Sequence, residues 1–259
     1  KLIQAKIYNS KIIQVLGNFD IALDLVYSVI KKNKDLCFLN SINPFRIEGQ
    51  KTIPYRALEF LEWETPDWIV YPGGALGNTS SCGKCLMELY EWGWIKKIPR
   101  IAVINAEGAN TLDILYNGKF EDTELRWNDG NLDTELIKRY YTKMSKDGIR
   151  PKTKATAIQI GKPSNLLKGL RALEFTDGIV ISVTDKEMLD GMSIVGLNGF
   201  DCEMASGAVP AGIKKLLNEN IIKKDDEIVG ILTGRQKEPL LPINYHNEPT
   251  NQFAKPPKQ

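Results

Sequence analysis

A chain of 259 residues, 42% hydrophobic and 25% charged, can bury a core without disulfide staples, as one large domain or two smaller ones. Its 34 basic and 32 acidic residues leave a net charge of +2, too small for the electrostatic footprint of a nucleic-acid or anionic-membrane binder, and no apolar run is long enough to span a bilayer. Four cysteines with no apolar signal segment do not make a secreted disulfide framework. The expectation is a soluble, cytoplasmic protein acting on a compact ligand.

In chain order, the apolar residues of KIIQVLG (Lys11 to Gly17) predict a strand, followed by a helix in NFDIALDLVYSVIKKN. Asn18 or Asp20 would cap that helix, with Ile21, Leu23, Leu25, Val26 and Ile30 on its buried side. Cys37 to Asn40 predicts a short strand, Ile47 to Trp63 a helix, Asp67 to Gly73 a strand, Asn78 to Ile95 a helix and Pro99 to Gly108 a strand. From Tyr116 to about Lys154 the pattern turns polar, which predicts a long surface excursion with a helix around Leu136 to Met144. Helix and strand then alternate through Pro163–Phe175, Gly178–Thr184, Asp185–Leu197, Ser206–Asn220 and Asp226–Gly234. Such alternation predicts an α/β fold with a parallel sheet flanked by helices. The residues after about His246 read as an extended or disordered tail, 247–259.

Between strand and helix stands YPGGALGNTSSCGKC (Tyr71 to Cys85). A strand, a glycine-rich turn and a helix start is the order in which backbone N–H groups converge on an anion. Asn78 or Thr79 would cap the helix, whose dipole favours a bound phosphate. The spacing matches neither common nucleotide fingerprint, so a plain tight turn stays open beside a phosphate cradle. Cys82 and Cys85 form a C-x-x-C that could hold a reactive thiolate or a metal. They lie inside an apolar helix, however, and the chain's single histidine is His246, so buried packing is the competing reading and no metal site is assigned.

Five segments, taken together, resemble the threonine synthase family: NSINPFRIEGQKT (40–52), PDWIVYPGGALGNTSSCGKCLMEL (66–89), IPRIAVINAEGAN (98–110), TAIQIGKPSNLLKGLRALE (156–174) and ILTGRQKEP (231–239). The similarity runs in register from Lys1 to about His246. It implies pyridoxal 5'-phosphate as cofactor, fold type II of the tryptophan-synthase β kind, and threonine biosynthesis from O-phospho-L-homoserine and water with release of phosphate. By resemblance, Gly74, Ala75, Leu76, Gly77 and Asn78 cradle the cofactor phosphate, Thr233 faces its ring nitrogen, and Asn40, Ser41 and Arg46 hold the substrate phosphate. A guanidinium fork with neutral donors suits a phosphate. A surface ion pair is the lesser, competing reading of Arg46. Glu107, just past a strand end, either meets a ligand or caps the next helix; Lys51 reads as structural, and Lys214 and Lys215 as a solvated helix face.

One departure stands out. The family's Schiff-base lysine lies in a motif like S-F-K-D and a companion loop reads like S-T-G-N-T; neither occurs in this sequence. With a first residue of Lys1, the expectation is the C-terminal two-thirds of a longer or split protein, with the N-terminal part of the family fold missing. It would partner that N-terminal portion, have no catalytic residue of its own and be inactive alone, with a homodimer among the assemblies allowed. A threonine or serine dehydratase-like enzyme is the alternative, against which the phosphate set argues, and a non-catalytic phosphate-ligand binding fragment is another.

Overall fold

The computed structural model describes residues 6–235. Helix α1 (Phe19–Lys32) starts where Asn18 accepts the Ile21 N–H at 3.0 Å, one of the two expected caps. Helices α2 (Pro44–Gln50) and α3 (Thr52–Phe60) follow, joined at Lys51. Strand β1 (Trp68–Gly73), helix α4 (Gly77–Glu91), strand β2 (Arg100–Ala106) and helix α5 (Thr111–Tyr116) make the next units. Then come α6 (Thr134–Lys146), α7 (Leu166–Phe175), β3 (Ile179–Val183), α8 (Asp185–Leu197), α9 (Met204–Asn218) and β4 (Ile228–Gly230). The four strands form one sheet in the order β3-β2-β1-β4, every pairing parallel.

Two-residue periodicity sorts the strand side chains to two faces. Ile69, Tyr71, Ile101, Val103 and Val180 pack with α4, α5, α6 and α7. Trp68, Val70, Ala102, Ile104, Ala106 and Val183 pack with α8 and α9. A strand covered on both faces is apolar throughout, which is why WIVYPG is wholly buried. This is the α/β layering expected from the alternation. Among the described residues no helix is long and apolar enough to cross a membrane.

Several expectations are corrected. Lys11–Gly17 and Cys37–Asn40 are irregular rather than strands, and none of their apolar residues is buried: Leu16 is 94% and Leu39 73% exposed. A strand needs a partner to satisfy its backbone groups, and neither segment has one among the described residues. On α1 only Leu23 of the predicted apolar side is buried. The helix expected from Ile47 to Trp63 begins earlier, because Asn43 caps Pro44 at N1 by accepting the Phe45 N–H at 2.9 Å, and it divides at Lys51. The Tyr116–Lys154 stretch is no mere excursion, since Leu125, Leu136, Tyr140 and Met144 enter the core. Helix α5 has no counterpart among the predicted elements. The predicted tail, with His246, lies outside the described residues.

Cys82 and Cys85 are both buried on α4, and Cys37 is exposed. Desolvation pushes the Cys82 thiol up and the Cys85 thiol up to about 12, so neither is a thiolate near neutrality. Iodoacetamide at pH 8 is therefore expected to alkylate Cys37 in the folded protein and to spare Cys82 and Cys85 until urea unfolds it, as peptide mass mapping would read.

Close approach of α4 to α7 depends on Gly83, where a Cβ would lie 2.3 Å from the Ala172 Cβ and 2.7 Å from its Cα. Gly83→Ala should lower the unfolding free energy by about 1–3 kcal/mol, because backbone rather than a pliable side chain must yield. By contrast Gly196→Ala on α8 meets open space and should gain up to about 1 kcal/mol from lost chain entropy. Urea midpoints of the two variants check both signs.

Candidate functional site

The chain passes from β1 to β2 on one side and on to β3, and returns to lay β4 on the other side of β1. Winding thus reverses between β1 and β4, and the crevice beyond their carboxyl ends is where open α/β sheets gather ligands. A cavity of about 220 Å³ lies there, walled by Pro72 at the end of β1, by Gly74 to Thr79 after it and by Thr233 after β4.

The turn from β1 into α4 is made at Leu76, which is left-handed at φ 63° and stands at the N-cap without a side-chain bond. Asn78 and Thr79, the expected caps, lie inside the first turn instead. A left-handed leucine costs about 1–2 kcal/mol, offset by burying a side chain worth about 1.5–3 kcal/mol. Leu76 is 3% exposed and packs on Gly169, where a Cβ would come within 3.1 Å of it. Because no side chain caps α4, the N–H groups of Gly77, Asn78 and Thr79 find no acceptor among the described residues. The Thr79 hydroxyl, on a residue only 1% exposed, is likewise buried without a partner among them. Unmatched donors at the positive end of a helix are what a phosphate satisfies. Space at Gly77 is tight: a Cβ there would stand 3.2 Å from Gln50 Oε1, itself buried with no partner among the described residues, so Gln50 would have to give by a few tenths of an ångström.

The facing wall comes from the start of α2. Asn43 caps it, so Arg46 falls in its first turn and Ser41 just before it. Ser41 is buried and left-handed at φ 45°. Arg46 is exposed, lines the cavity and pairs with no carboxylate among the described residues, so the surface ion pair considered for it is not formed there. Arg46 and Glu203 are the charged side chains of the cavity wall among the described residues. On the β4 side the Thr233 N–H donates to Ser206 Oγ at 2.9 Å, and the two hydroxyl oxygens lie 3.3 Å apart.

The structure thus brings Gly74, Ala75, Leu76, Gly77, Asn78, Thr233, Ser41 and Arg46 around one cavity. Asn40 does not line it; its Oδ1 accepts the Ser41 N–H at 2.9 Å. Glu107 is exposed and its N–H donates to the Val183 carbonyl at 2.8 Å; its side chain neither lines the cavity nor caps α5. Lys51 joins Glu88 at 2.6 Å and Glu48 at 2.5 Å, a structural cluster on α2, α3 and α4. Contact with Lys51, and with Lys84 as well, holds the Glu48 carboxyl below its usual range. Lys214 is exposed, while Lys215 donates to the Ser182 carbonyl at 3.0 Å, away from the cavity.

Sequence reading misses Gln50, Asn165 and Ser206. Asn165 stands just ahead of α7, where an asparagine reads as an ordinary cap, and Ser206 hides among the small residues of SGA. Neither position carries a sequence signal that Asn165 lines the cavity or that Ser206, behind the wall, holds Thr233. Among the described residues no cluster of three or more His, Cys, Asp or Glu could hold a metal.

Threonine synthase of Methanocaldococcus jannaschii is 39% identical over 96% of this chain and 56% of its own length. That of Methanosarcina acetivorans is 34% identical over 96% of this chain and 56% of its own. The chain therefore spans little more than half the length of these relatives. Among solved structures, maize serine racemase matches with a TM-score of 0.61 at 16% identity, over 92% of this chain and 64% of that one. The processed form of threonine deaminase isoform 2 from Solanum lycopersicum matches at 0.60 and 16%, over 91% and 59%. At such identities the likeness speaks for the fold alone, and it is the expected fold type II. Residues 1–234 match the family described as "Pyridoxal-phosphate dependent enzyme". That match covers most of the sequence, and the chain belongs to the pyridoxal-phosphate dependent enzyme family.

Proposed function

We propose that this chain forms the two phosphate seats of a threonine synthase, which converts O-phospho-L-homoserine and water to L-threonine and phosphate. One observation carries the reading: a single cavity has unmatched backbone donors on one wall and, on the other, a guanidinium with no carboxylate partner among the described residues. A dehydratase acting on threonine or serine needs the first seat only. The threonine synthases among the relatives support the choice.

Under this reading the N–H groups of Gly77, Asn78 and Thr79, with the Thr79 hydroxyl, hold the cofactor phosphate. Pyridoxal phosphate bound there supplies an electron sink for the substrate's α-carbon. Thr233, its hydroxyl beside that of Ser206, offers the ring nitrogen a neutral partner rather than a carboxylate. Arg46 forks onto the substrate phosphate, with the Ser41 turn beside it, and stabilises the charge that grows as phosphate leaves. No lysine lines the cavity among the described residues. The reading therefore assigns proton transfer at the α- and β-carbons to a group outside them, and the chain alone is expected to be inactive.

Arg46→Leu in the complete enzyme is expected to lower kcat/KM for phosphate release at least about tenfold, since a charge-assisted bond contributes about 1.5–3 kcal/mol. Cofactor content should be unchanged. Steady-state phosphate release, beside deamination of threonine and serine, is the measurement. A parent enzyme that prefers the unphosphorylated amino acids would move the assignment to the dehydratase class.

Gly77→Asp puts a side chain and a negative charge against the amide cradle. Pyridoxal phosphate affinity should fall by well over tenfold in a titration followed by absorbance, with the fold kept by circular dichroism. Retained affinity would remove this loop from the cofactor site.

A further inference from the structure

Asn165 occupies the N-cap of α7, where an asparagine ordinarily accepts an N–H of its own helix, yet it makes no such bond. It is 2% exposed and its side chain turns across the cavity instead. Nδ2 donates to the Ser41 carbonyl at 2.9 Å and to the Ala75 carbonyl at 3.3 Å, and the Asn165 N–H donates to the same Ala75 carbonyl at 3.0 Å. The two segments it joins belong to opposite walls, far apart in sequence.

Each of these segments holds a left-handed residue that is not glycine. Ser41 has φ 45°, and Leu76, directly after Ala75, has φ 63°. Such residues persist where their surroundings over-determine them. Ser41 is gripped on both sides, its N–H by Asn40 Oδ1 and its carbonyl by Asn165 Nδ2. Leu76 follows a carbonyl that Asn165 meets twice. One amide group thus anchors both unfavourable turns.

We infer that Asn165 is a positioning residue that ties the Ser41 turn to the Ala75–Leu76 turn and so fixes the separation of the two phosphate seats. The inference rests on the two-seat reading above. It also gives Asn40 a part: it shapes the second seat through the Ser41 backbone without lining the cavity. Separation matters because a substrate whose reacting carbons must meet the cofactor while its own phosphate is held elsewhere tolerates little change in span.

The test uses this chain, with pyridoxal phosphate and then inorganic phosphate as the probes, by titration calorimetry. Asn165→Ala should weaken both ligands at least fivefold, whereas Arg46→Leu weakens inorganic phosphate alone. With Ser41→Gly as background the left-handed turn carries no side-chain penalty. There the phosphate loss caused by Asn165→Ala should shrink at least threefold, a rescue that simple destabilisation would not give. Asn165→Ser, whose hydroxyl is too short to reach both carbonyls, serves if the alanine variant does not fold and should show the same double loss. Binding of both ligands within twofold of the parent, loss of one ligand only, or unfolding of both variants overturns the inference. If the unmodified chain binds pyridoxal phosphate and phosphate normally while the Asn165 variants do too, only the linkage fails. If the unmodified chain binds neither, the two-seat reading fails and takes the linkage with it.

Discussion

Parallel pairing of β1 with a neighbour on either side is the constraint on which the rest depends. β2 and β4 both run alongside it in the same direction, so their carboxyl ends open on one edge of the sheet. The chain must then cross over by helices that cover both faces, which commits the strands to continuous apolar sequence. Their polar neighbours are pushed to the ends. What remains free at the carboxyl edge is backbone: the N–H groups that begin α4 and the residues that trail β4. The cavity is a consequence of the winding order before it is a property of any side chain.

Buried amides stabilise that edge. Asn105, 2% exposed, donates to the Gly73 carbonyl at 2.9 Å and accepts the Asp113 N–H at 3.0 Å. It closes the last turn of β1 and starts α5 in one residue. Gly73 must lack a side chain, since a Cβ would stand 2.4 Å from Asn105 Nδ2. A buried polar group that finds both partners stiffens its surroundings, and one that misses a partner costs about 1–3 kcal/mol. Thr79 Oγ1, Gln50 Oε1 and Asn165 Oδ1, each buried without a partner among the described residues, belong to side chains lining the one cavity, where a ligand can match what the protein does not.

What the sequence makes legible follows from locality. The units from Asp67 to Ala106 and from Pro163 to Asn218 declare themselves by period and by turn residues, because their strands are covered on both faces and their helices on one. The strand expected at Lys11–Gly17 has the right alternation and no partner among the described residues, and alternation alone cannot report a missing partner. Asn78 reads as a cap by residue type; the structure uses Leu76, because burial against Gly169 outweighs cap propensity. Core residues in the polar stretch after Tyr116 are hard to see because Leu125, Leu136 and Tyr140 are spaced among charges that face solvent. Motif resemblance points to Gly74 through Asn78 and to Arg46, while Asn165 depends on contacts with residues 124 and 90 positions away.

The two seats differ in a way their proposed occupants would require. Thr79 is buried, Gly77 and Asn78 are half-buried, and none of the three brings a formal charge, so on the proposed reading that wall would hold an anion through fixed dipoles at little cost in reorganisation. Arg46 is exposed, and its charge is screened by water on one side. A more enclosed, uncharged seat favours slow dissociation and suits a cofactor that stays through many turnovers. An exposed cation binds an arriving dianion quickly and releases the product phosphate as readily. On the proposed reading, chemical identity of the two phosphates is no obstacle to telling them apart: burial assigns one seat to the resident and the other to the traveller. On that reading, moving the charge inward at Arg46 would strengthen binding and slow release, and the exposure of that side chain would serve turnover.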